Sequence, residues 1–174
     1  MKANKRHRLI FEGPDRCGKS NISSALSELI DVPAYKSGRE HSLFNVPNAQ
    51  YNVLKWAVYE QIKMIEICDA SIIFDRFFPS EFVYSRVYNR PSDDELVFEY
   101  DGWWDRLDGK IIFCEKQCAG LNWDDEIISK NRYDEIKENY ALYRKFTKCN
   151  HMLLDTSDED LQKQLVKILE FIDE

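Results

Sequence analysis

The chain has 174 residues, of which 44% are hydrophobic and 32% charged, and this is enough apolar material for the core of one domain. Its net charge of −7 and pI near 5.1 argue against a broad surface for duplex nucleic acid. No stretch approaches the ~20 apolar residues of a membrane-spanning helix, and five cysteines without C-x-x-C spacing are typical of reduced thiols. We expect a cytoplasmic protein of one domain, residues 1–174, in which residues 1–7 form a basic tail.

Strands and helices alternate along the first half of the chain. Apolar runs predict strands at Arg8–Glu12, at about 32–36 and at 71–75, with a helix after the first strand. Residues 49–69 carry a broad apolar stripe with helical spacing, which predicts a long helix. Pro79 suits the first turn of a further helix, because its missing N–H would be unpaired there anyway.

The second half continues the alternation after an acidic, aromatic segment, 92–109, to which the sequence gives no clear assignment. We predict two more strands, at 110–114 and 151–155, and between them a long charged helix at 124–148. A last helix follows, with Ser157 as its N-terminal cap and Asp160 three residues on. The alternation predicts an α/β fold in three layers, with a central parallel five-stranded sheet flanked by helices.

An eight-residue segment between the first strand and the first helix matches the phosphate-binding pattern G-x-x-x-x-G-K-[ST]. Its glycines let backbone N–H groups turn inward around a phosphate, and the helix N-terminus behind them adds about half a positive charge. Lys19 would bridge the β- and γ-phosphates, and Ser20 would hold Mg²⁺. The segment predicts a P-loop NTPase-type fold that binds a nucleoside triphosphate. The predicted ATP-binding residues are Gly13, Pro14, Asp15, Arg16, Cys17, Gly18, Lys19, Ser20 and Asn21.

A charged pair, Asp75 and Arg76, ends the third predicted strand. Ligands of parallel sheets bind beyond the carboxyl ends of the strands, and this places the pair beside the phosphate loop. There Asp75 can hold water on Mg²⁺ or polarise the attacking group, and the Arg76 guanidinium can contact a second phosphate through two nitrogens. The pair favours an acceptor that carries its own negative charge, and it makes Ser20 and Asp75 the predicted metal site.

Four segments, in order, resemble motifs of the thymidylate kinases, within the wider group of nucleoside and nucleotide kinases. Residues 11–20 resemble their first motif, in the variant with Asp-Arg inside the loop. Residues 75–77, Asp-Arg-Phe, with Ser80 behind them, are similar to the Asp-Arg-Tyr motif. Residues 132–134, Arg-Tyr-Asp, resemble the Arg-Tyr-Glu of the lid, and residues 154–157 resemble the loop that touches adenine.

The resemblance implies roles for several of these residues. Asp15 would accept a hydrogen bond from the 3′-hydroxyl of the acceptor sugar, and Arg16 would bridge the phosphoryl group in transit. Arg39 and Arg76 would share the acceptor phosphate. Such reactions need little covalent chemistry, so that donors placed around the γ-phosphate supply most of the rate. The catalytic residues implied in this way are Lys19, Arg16, Asp75 and Arg132.

The lid and the base site match the family less closely. The resemblance implies a lid at about residues 118–135, in which Arg132 excludes water from the phosphoryl path and Tyr133 crowds the 2′ position in favour of deoxyribose. The aromatic that stacks on thymine and the arginine that reads its edge have no counterparts at the aligned positions. Trp56 and Tyr59 lie nearby and are the candidates for stacking, an interaction worth ~1–3 kcal/mol.

Three functions stay open. The first is phosphorylation of a deoxynucleoside monophosphate by ATP and Mg²⁺, with dTMP as the leading acceptor. The second is a kinase with a hydroxyl acceptor, either a deoxynucleoside or a hydroxymethylated base in DNA; the acidic charge counts against a polynucleotide. The third is a nucleotide-binding module without catalysis, which the intact motif residues disfavour. Related kinases often pair through helices that flank the sheet, so the helix at 49–69 is a candidate surface for a homodimer.

Overall fold

A computed structural model describes residues 5–36, 53–117 and 130–173, in which strands alternate with helices. The strands are β1 (Arg8–Glu12), β2 (Ala34–Lys36), β3 (Ile72–Asp75), β4 (Lys110–Glu115) and β5 (Asn150–Asp155). The helices are α1 (Lys19–Ile30), α2 (Tyr59–Cys68), α3 (Phe78–Val87), α4 (Asp94–Arg106), α5 (Lys130–Arg144) and α6 (Leu161–Asp173). A π-helical segment, Val53–Val58, runs directly into α2.

The described strands form one five-stranded sheet, in the order β2-β3-β1-β4-β5, and all of its pairs are parallel. β1 lies in the middle, where Phe11 pairs with Asp75 of β3 on one side and with Ile112 of β4 on the other. The sequence-based prediction of a central parallel sheet flanked by helices is confirmed. Because the phosphate-binding segment follows β1, it leaves the sheet at its centre.

Alternate residues of β1 point into two separate cores, as the pleat of a strand requires. Ile10 belongs to a core that α2, α3, α4 and α5 cover, with Trp104 fully buried in it. Phe11 belongs to the opposite core, together with Leu26 of α1 and Ile168 of α6. The sheet is therefore the middle of three layers. Among the described helices, none combines the length and the apolar character that crossing a membrane requires.

Two prolines lie at the starts of elements. Pro33 precedes β2, so the strand begins at Ala34 rather than at about residue 32, because proline has no N–H to donate to a ladder. Pro79 is the second residue of α3, within the first turn, as the sequence predicts. In both places the missing N–H falls where no regular hydrogen bond is lost.

The segment 92–109 contains helix α4, which the sequence does not assign. Asp93 caps this helix, because its side chain accepts a hydrogen bond of 3.0 Å from the backbone N–H three residues on, an interaction worth ~1 kcal/mol. The helix predicted at 49–69 is present in the described residues as the π-helical segment followed by α2. The helix predicted at 124–148 is present as α5, which ends at Arg144.

The cap of the last helix differs from the prediction. Helix α6 begins at Leu161, and Asp160 caps it, since the Asp160 carboxylate accepts a hydrogen bond of 3.0 Å from the Lys163 backbone N–H. Ser157, the predicted cap, instead donates its hydroxyl to Asp155 at 2.5 Å. The Ser157 hydroxyl binds the nearby Asp155 carboxylate instead of the helix, and the helix starts three residues later than a cap at Ser157 would predict.

Candidate active site

The loop after β1 requires glycine at its first position. Gly13 has φ +136°, and a Cβ atom there would lie 2.1 Å from the carbonyl oxygen of Cys114 in β4. That distance leaves no space for a side chain. Gly18, directly before α1, also has a positive φ, +81°. The two glycines give the loop the backbone path that the phosphate-binding pattern predicts.

Lys19, the first residue of α1, places its ammonium group inside this loop. Only 5% of the residue is exposed. Its Nζ donates a hydrogen bond to the carbonyl oxygen of Pro14 and lies 3.4 Å from the sulfur of Cys17. The ammonium group lines the cleft described below, where an anionic ligand would meet its charge.

Ser20 and Asp75 form a hydrogen-bonded pair beside the loop. The Ser20 hydroxyl donates to Asp75 Oδ2 at 2.5 Å, and Lys36 Nζ lies 3.3 Å from the Ser20 oxygen and 3.8 Å from Asp75 Oδ2. Hydroxyl and carboxylate oxygens suit Mg²⁺, which in phosphate sites takes few protein ligands and keeps several waters. In the described residues no group of three or more His, Cys, Asp or Glu side chains could hold a metal. The pair therefore fits a magnesium ion that a bound phosphate also ligates.

Arg76 joins the two sequence motifs. Its backbone is left-handed, with φ +69°, and its N–H donates to the carbonyl oxygen of Phe11 at 2.9 Å. Its Nη2 donates to Asp15 Oδ1 at 2.7 Å, and its guanidinium carbon lies 4.9 Å from the centre of the Tyr84 ring. A left-handed backbone costs a non-glycine residue about 1–2 kcal/mol, which these contacts help to offset. The loop and the strand end are thus connected by a direct ion pair.

Both carboxylate oxygens of Asp15 have a donor. Arg76 holds Oδ1, and the Tyr84 hydroxyl donates to Oδ2 at 3.1 Å. Burial opposes ionisation of Asp15, but the positive charges of Arg76 and Lys19 outweigh it and lower the pKa of the carboxyl group. Burial raises the pKa of the Tyr84 hydroxyl, although the charge of Arg76 acts against that rise, and the hydroxyl therefore keeps its proton. Asp15 is an ionised acceptor, and 44% of its side chain is exposed.

A second carboxylate, Glu12, lies fully buried at the end of β1. Its Oε1 accepts a hydrogen bond of 2.9 Å from the Phe77 backbone N–H, and its Oε2 accepts hydrogen bonds of 2.7 Å from the hydroxyls of Ser80 and Tyr140. The Tyr140 hydroxyl accepts in turn from Arg76 Nη1 at 3.1 Å. Burial raises the pKa of Glu12, and the charge of Arg76 acts against that rise. Arg76 is therefore held from two sides.

The loop and the strand-end pair line one cavity of about 530 Å³. Its lining residues are Asp15, Arg16, Gly18, Lys19, Ser20, Asn21, Lys36, Asp75 and Arg76. Four of these side chains are cations and two are carboxylates. The structure brings Lys19 and Arg76, which belong to two separate sequence motifs, into one cleft. Gly13 and Pro14 form the backbone that leads into it.

A second cavity, of about 340 Å³, adjoins the first, because Arg16, Gly18 and Asn21 line both. The rest of its wall comes from the loop before α1, α1 itself, the residue after β4, the segment between β5 and α6, and the start of α6. These other lining residues are Cys17, Ile22, Lys116, Thr156, Glu159, Leu161 and Gln164. Thr156 is fixed there because its N–H and its hydroxyl both donate to the Glu115 carbonyl oxygen, at 2.8 and 3.1 Å.

Two predicted site residues on α5 do not line either cavity. Arg132 Nη1 donates to the carbonyl oxygen of Val87 at the end of α3, and its guanidinium carbon lies 5.1 Å from the centre of the Tyr88 ring. Tyr133 is buried, and its hydroxyl donates to the carbonyl oxygen of Lys116 at 3.0 Å. In this structure both side chains bind carbonyl groups at element ends. The predicted lid before residue 130 lies outside the described residues.

The two aromatic candidates for the acceptor base also lie away from the cleft. Trp56 is 64% exposed, and Lys55 Nζ lies 5.6 Å from the centre of its ring. Tyr59 packs edge-on against Trp103, with 5.6 Å between the ring centres. Neither residue lines the two cavities. Arg39, the predicted partner of Arg76, lies outside the described residues.

Four residues that the sequence analysis does not assign are central to this geometry. Lys36 and Glu12 end strands β2 and β1, so the strand-end rule that identifies Asp75 could have found them as charges that close apolar runs. Tyr84 and Tyr140 lie on helices and are 69 and 128 residues from the carboxylates that they contact. No local pattern in the sequence indicates those two contacts.

Comparison by sequence identifies no match, either among protein-family models or among curated proteins. Comparison by structure finds solved proteins of similar length and fold. One is the YorR protein from Bacillus subtilis, in complex with phosphorylated GDP; it is 20% identical, with a TM-score of 0.67, over 93% of this chain and 95% of that chain.

Two further neighbours are kinases by name. Thymidylate kinase from Ehrlichia chaffeensis is 14% identical, with a TM-score of 0.63, over 95% of this chain and 97% of that chain. Deoxyadenosine kinase from M. mycoides, solved with the products dCMP and dCDP, is 14% identical, with a TM-score of 0.60, over 95% of this chain and 98% of that chain. At sequence identities this low, structural similarity shows a shared fold and does not show a shared function. The chain therefore has the fold of the P-loop nucleotide and nucleoside kinases.

Proposed function

We propose that the protein is an ATP-dependent phosphotransferase, a deoxynucleoside monophosphate kinase that converts dTMP and ATP to dTDP and ADP. The observation that carries the proposal is the shared cleft, in which Lys19 and Arg76 line one cavity of about 530 Å³. Sites for small molecules commonly have volumes of about 300–1,000 Å³. Two cationic groups in one cleft suit two phosphate groups that must approach each other for transfer.

The loop side of the cleft is assigned to ATP. Backbone N–H groups of the loop and the ammonium group of Lys19 would hold its phosphates, and Ser20 and Asp75 would hold Mg²⁺ directly or through water. When bound, Mg²⁺ neutralises the charge that develops on the transferred phosphoryl group. The adjoining cavity is assigned to adenine, because it opens from the same loop residues and includes Thr156 of the segment that resembles an adenine loop.

The remaining polar groups are assigned to the acceptor. Arg76, whose Nη2 donates to Asp15 in the cleft, would bring its guanidinium charge to the acceptor phosphate, and Lys36 adds a second positive charge. Asp15, which is ionised, would accept a hydrogen bond from the 3′-hydroxyl of the sugar. Arg16 lines both cavities, where it can contact the phosphoryl group in transit.

With Asp75 assigned to Mg²⁺, the carboxylates that remain near Arg76, Asp15 in the cleft and Glu12 behind it, favour a phosphate acceptor over a hydroxyl acceptor. A hydroxyl must lose a proton as it attacks, whereas a phosphate oxygen is already anionic. Asp15 is a weak base, because its pKa is lowered by Arg76 and Lys19 against the effect of burial. Both oxygens of Glu12 already accept hydrogen bonds within the protein. The hydroxyl acceptor, a deoxynucleoside or a hydroxymethylated base in DNA, stays the second candidate because one structural neighbour is a deoxyadenosine kinase.

Thymine is proposed from the resemblance at residues 11–20 and 75–77. Trp56 or Tyr59 could stack on the base only by leaving the neighbours that these side chains have in this structure. Arg132 would likewise have to leave the carbonyl oxygen of Val87 to reach the transferred phosphoryl group. Substrate-induced closure of this kind is common in kinases, because it excludes water from the reaction. These residues are therefore assigned to the ligand-bound state.

The proposal is tested by following the γ-phosphate of labelled ATP. The purified protein is incubated with Mg²⁺, labelled ATP and, separately, deoxynucleosides, deoxynucleoside monophosphates, and DNA with and without hydroxymethylated bases. We expect the label in a deoxynucleoside diphosphate, with dTMP as the best acceptor. Lys19→Met should transfer the label about 10²–10³-fold more slowly, and Lys163→Met, which removes an exposed lysine on α6, should match the wild type.

Other outcomes separate the alternatives. Label on a deoxynucleoside or on DNA would support the hydroxyl acceptor and overturn the monophosphate assignment. Binding of ATP without transfer to any acceptor would contradict the kinase and leave a nucleotide-binding module.

We also propose that the protein pairs as a homodimer through the π-helical segment and α2. Met64 and Ile67 are 63% and 72% exposed along this surface, and exposed apolar side chains of this size often mark an interface between proteins. Sedimentation of the wild type and of Ile67→Glu tests the proposal. We expect a dimer that the substitution weakens, and a wild-type monomer at all concentrations would contradict it.

A further inference from the structure

The hydroxyl of Tyr140 lies between the Arg76 guanidinium and the buried carboxylate of Glu12. It donates to Glu12 Oε2 at 2.7 Å and accepts from Arg76 Nη1 at 3.1 Å, and the Ser80 hydroxyl is 3.3 Å away. Tyr140 is 1% exposed and comes from α5, whereas Arg76 follows β3 and Glu12 ends β1. Side chains from three elements therefore meet at one phenol oxygen. This oxygen lies next to Arg76, on the side of the cleft that is assigned to the acceptor and is called the acceptor half.

This contact determines where the other guanidinium nitrogen points. The guanidinium group is planar and rigid, so that fixing Nη1 also fixes Nη2. Nη2 is the nitrogen that donates to Asp15 at 2.7 Å in the cleft. A hydroxyl that donates to a carboxylate is polarised and becomes a better acceptor for the guanidinium N–H. The charge of Glu12 thus reaches Arg76 through Tyr140.

We propose that Tyr140 is a positioning residue, which holds the Arg76 guanidinium in the orientation that receives the acceptor phosphate. The inference rests on the proposed function, in which Arg76 binds that phosphate. Tyr140 itself contacts neither substrate, since it does not line the cleft. Its effect on the acceptor passes through Arg76.

The same helix contains a matched control, Tyr143. Tyr143 is fully buried, and its hydroxyl donates to Asp101 Oδ1 at 2.6 Å. The hydroxyl of Thr147 donates to the same oxygen at 2.5 Å, just as Ser80 and Tyr140 share one oxygen of Glu12. Asp101 lies on α4, and neither it nor Tyr143 lines the cleft. Removing either phenol oxygen therefore costs one buried bond to a carboxylate that keeps a second hydroxyl donor, and only at Tyr140 does it also cost a bond from an arginine.

The first experiment compares Tyr140→Phe with Tyr143→Phe. Both substitutions remove a buried bond to a carboxylate, so we expect both to lower thermal stability, and Tyr140→Phe at least as much because it also loses the bond from Arg76. Only Tyr140→Phe should lower kcat/KM for the acceptor, by about 10- to 100-fold, the range for a hydrogen bond to a charged group, while KM for ATP stays unchanged. Equal acceptor kinetics in the two variants, or an equal rise in both substrates' KM values, would overturn the inference.

The second experiment does not depend on activity. NMR of ¹⁵N-labelled arginine side chains reports rotation of the guanidinium about its Nε–Cζ bond, and Arg76→Lys identifies the Arg76 signals. Rotation should be slow in the wild type and in Tyr143→Phe, and fast in Tyr140→Phe. Slow rotation in Tyr140→Phe would overturn the positioning role even if the wild type is a kinase. A wild type without transferase activity would overturn the proposed function instead, and the rotation would still decide whether Tyr140 orients Arg76.

Discussion

The two halves of the cleft are built in different ways. The half that is assigned to ATP, here called the nucleotide half, is a contiguous segment, 13–20, made largely of backbone, with two glycines at positive φ and a helix N-terminus behind them. The acceptor half has no such local unit. Arg76 reaches Asp15 and Tyr140 across 61 and 64 residues of chain, and each of these side chains depends on the others for its position.

This difference in construction predicts that the two halves respond differently to amino-acid substitution. A binding site made of backbone N–H groups tolerates most side-chain substitutions. A substitution that changes the course of the backbone, however, should abolish binding altogether. A site made of mutually bonded side chains responds to each substitution in a graded and coupled way, because removal of one partner alters the remaining ones.

The largest effect is expected for Gly13→Ala. The added Cβ would meet the Cys114 carbonyl oxygen at 2.1 Å, and φ +136° is unfavourable for alanine. Overpacking and backbone strain together should lower the free energy of unfolding by about 2–6 kcal/mol and abolish ATP binding. Gly102→Ala in α4, where a Cβ would have only Arg106 Nη1 at 3.9 Å, should instead stabilise the protein by about 0.5–1 kcal/mol. Chemical denaturation of both variants checks the contrast, and equal effects would contradict it.

Lys19→Met should lower kcat by about 10²–10³-fold, the usual effect of removing one donor that faces a developing charge. Acceptor affinity should be little changed, because Arg76 and Asp15 keep their contact. Steady-state kinetics with each substrate varied in turn measures both quantities. A variant with normal kcat would show that the ammonium group inside the loop does not face the transferred phosphate.

Arg76→Met should lower kcat/KM for the acceptor by about 10- to 100-fold and leave the dissociation constant for ATP nearly unchanged. The matched control is Arg86→Met on α3, since Arg86 also forms an ion pair, with Asp94 at 2.5 Å, and also lies over an aromatic ring, that of Phe82. Arg86→Met should keep both constants. Loss of ATP binding in Arg76→Met would show that the two halves of the cleft are not divided as proposed.

The smallest effect is a pH dependence from Glu12. Burial raises its pKa in the folded protein above the ordinary 4.5, so the folded state binds more protons than the unfolded state above that pH. The stability of the wild type relative to Glu12→Gln should therefore fall as pH rises above 4.5, by at most about 1.4 kcal/mol per pH unit. Urea denaturation at a series of pH values measures the difference. A difference that grows with pH in this range would contradict the raised pKa.

The nucleotide half and the order of the elements could be predicted from the sequence. The apolar runs of β1, β3, β4 and β5 lie close to their predicted positions, because buried parallel strands leave a strong local signal. The glycine spacing indicates the loop, and the strand-end rule places Asp75 and Arg76 beside it. Each of these signals is local, or follows from one topological rule.

The acceptor half could be predicted only in part. Tyr84 and Tyr140 find their carboxylates through the packing of helices on the sheet, which no short pattern records. The same packing places Arg132 against the carbonyl oxygen of Val87, and it places Tyr59 against Trp103. In this structure neither side chain lines the cleft, where the family resemblance would place both. Side chains that depend on tertiary neighbours are the ones whose contacts no local sequence pattern predicts.

The most direct test of the single cleft is the affinity of a ligand that joins both substrates. Adenosine linked through five phosphates to the 5′ position of the best acceptor deoxynucleoside is titrated calorimetrically into the wild type and into Arg76→Met. If Lys19 and Arg76 serve one cleft, the wild type binds this compound at least about 100-fold more tightly than ATP, and Arg76→Met removes the gain without weakening ATP. Affinity no greater than that of ATP, or a gain that survives Arg76→Met, would contradict the account.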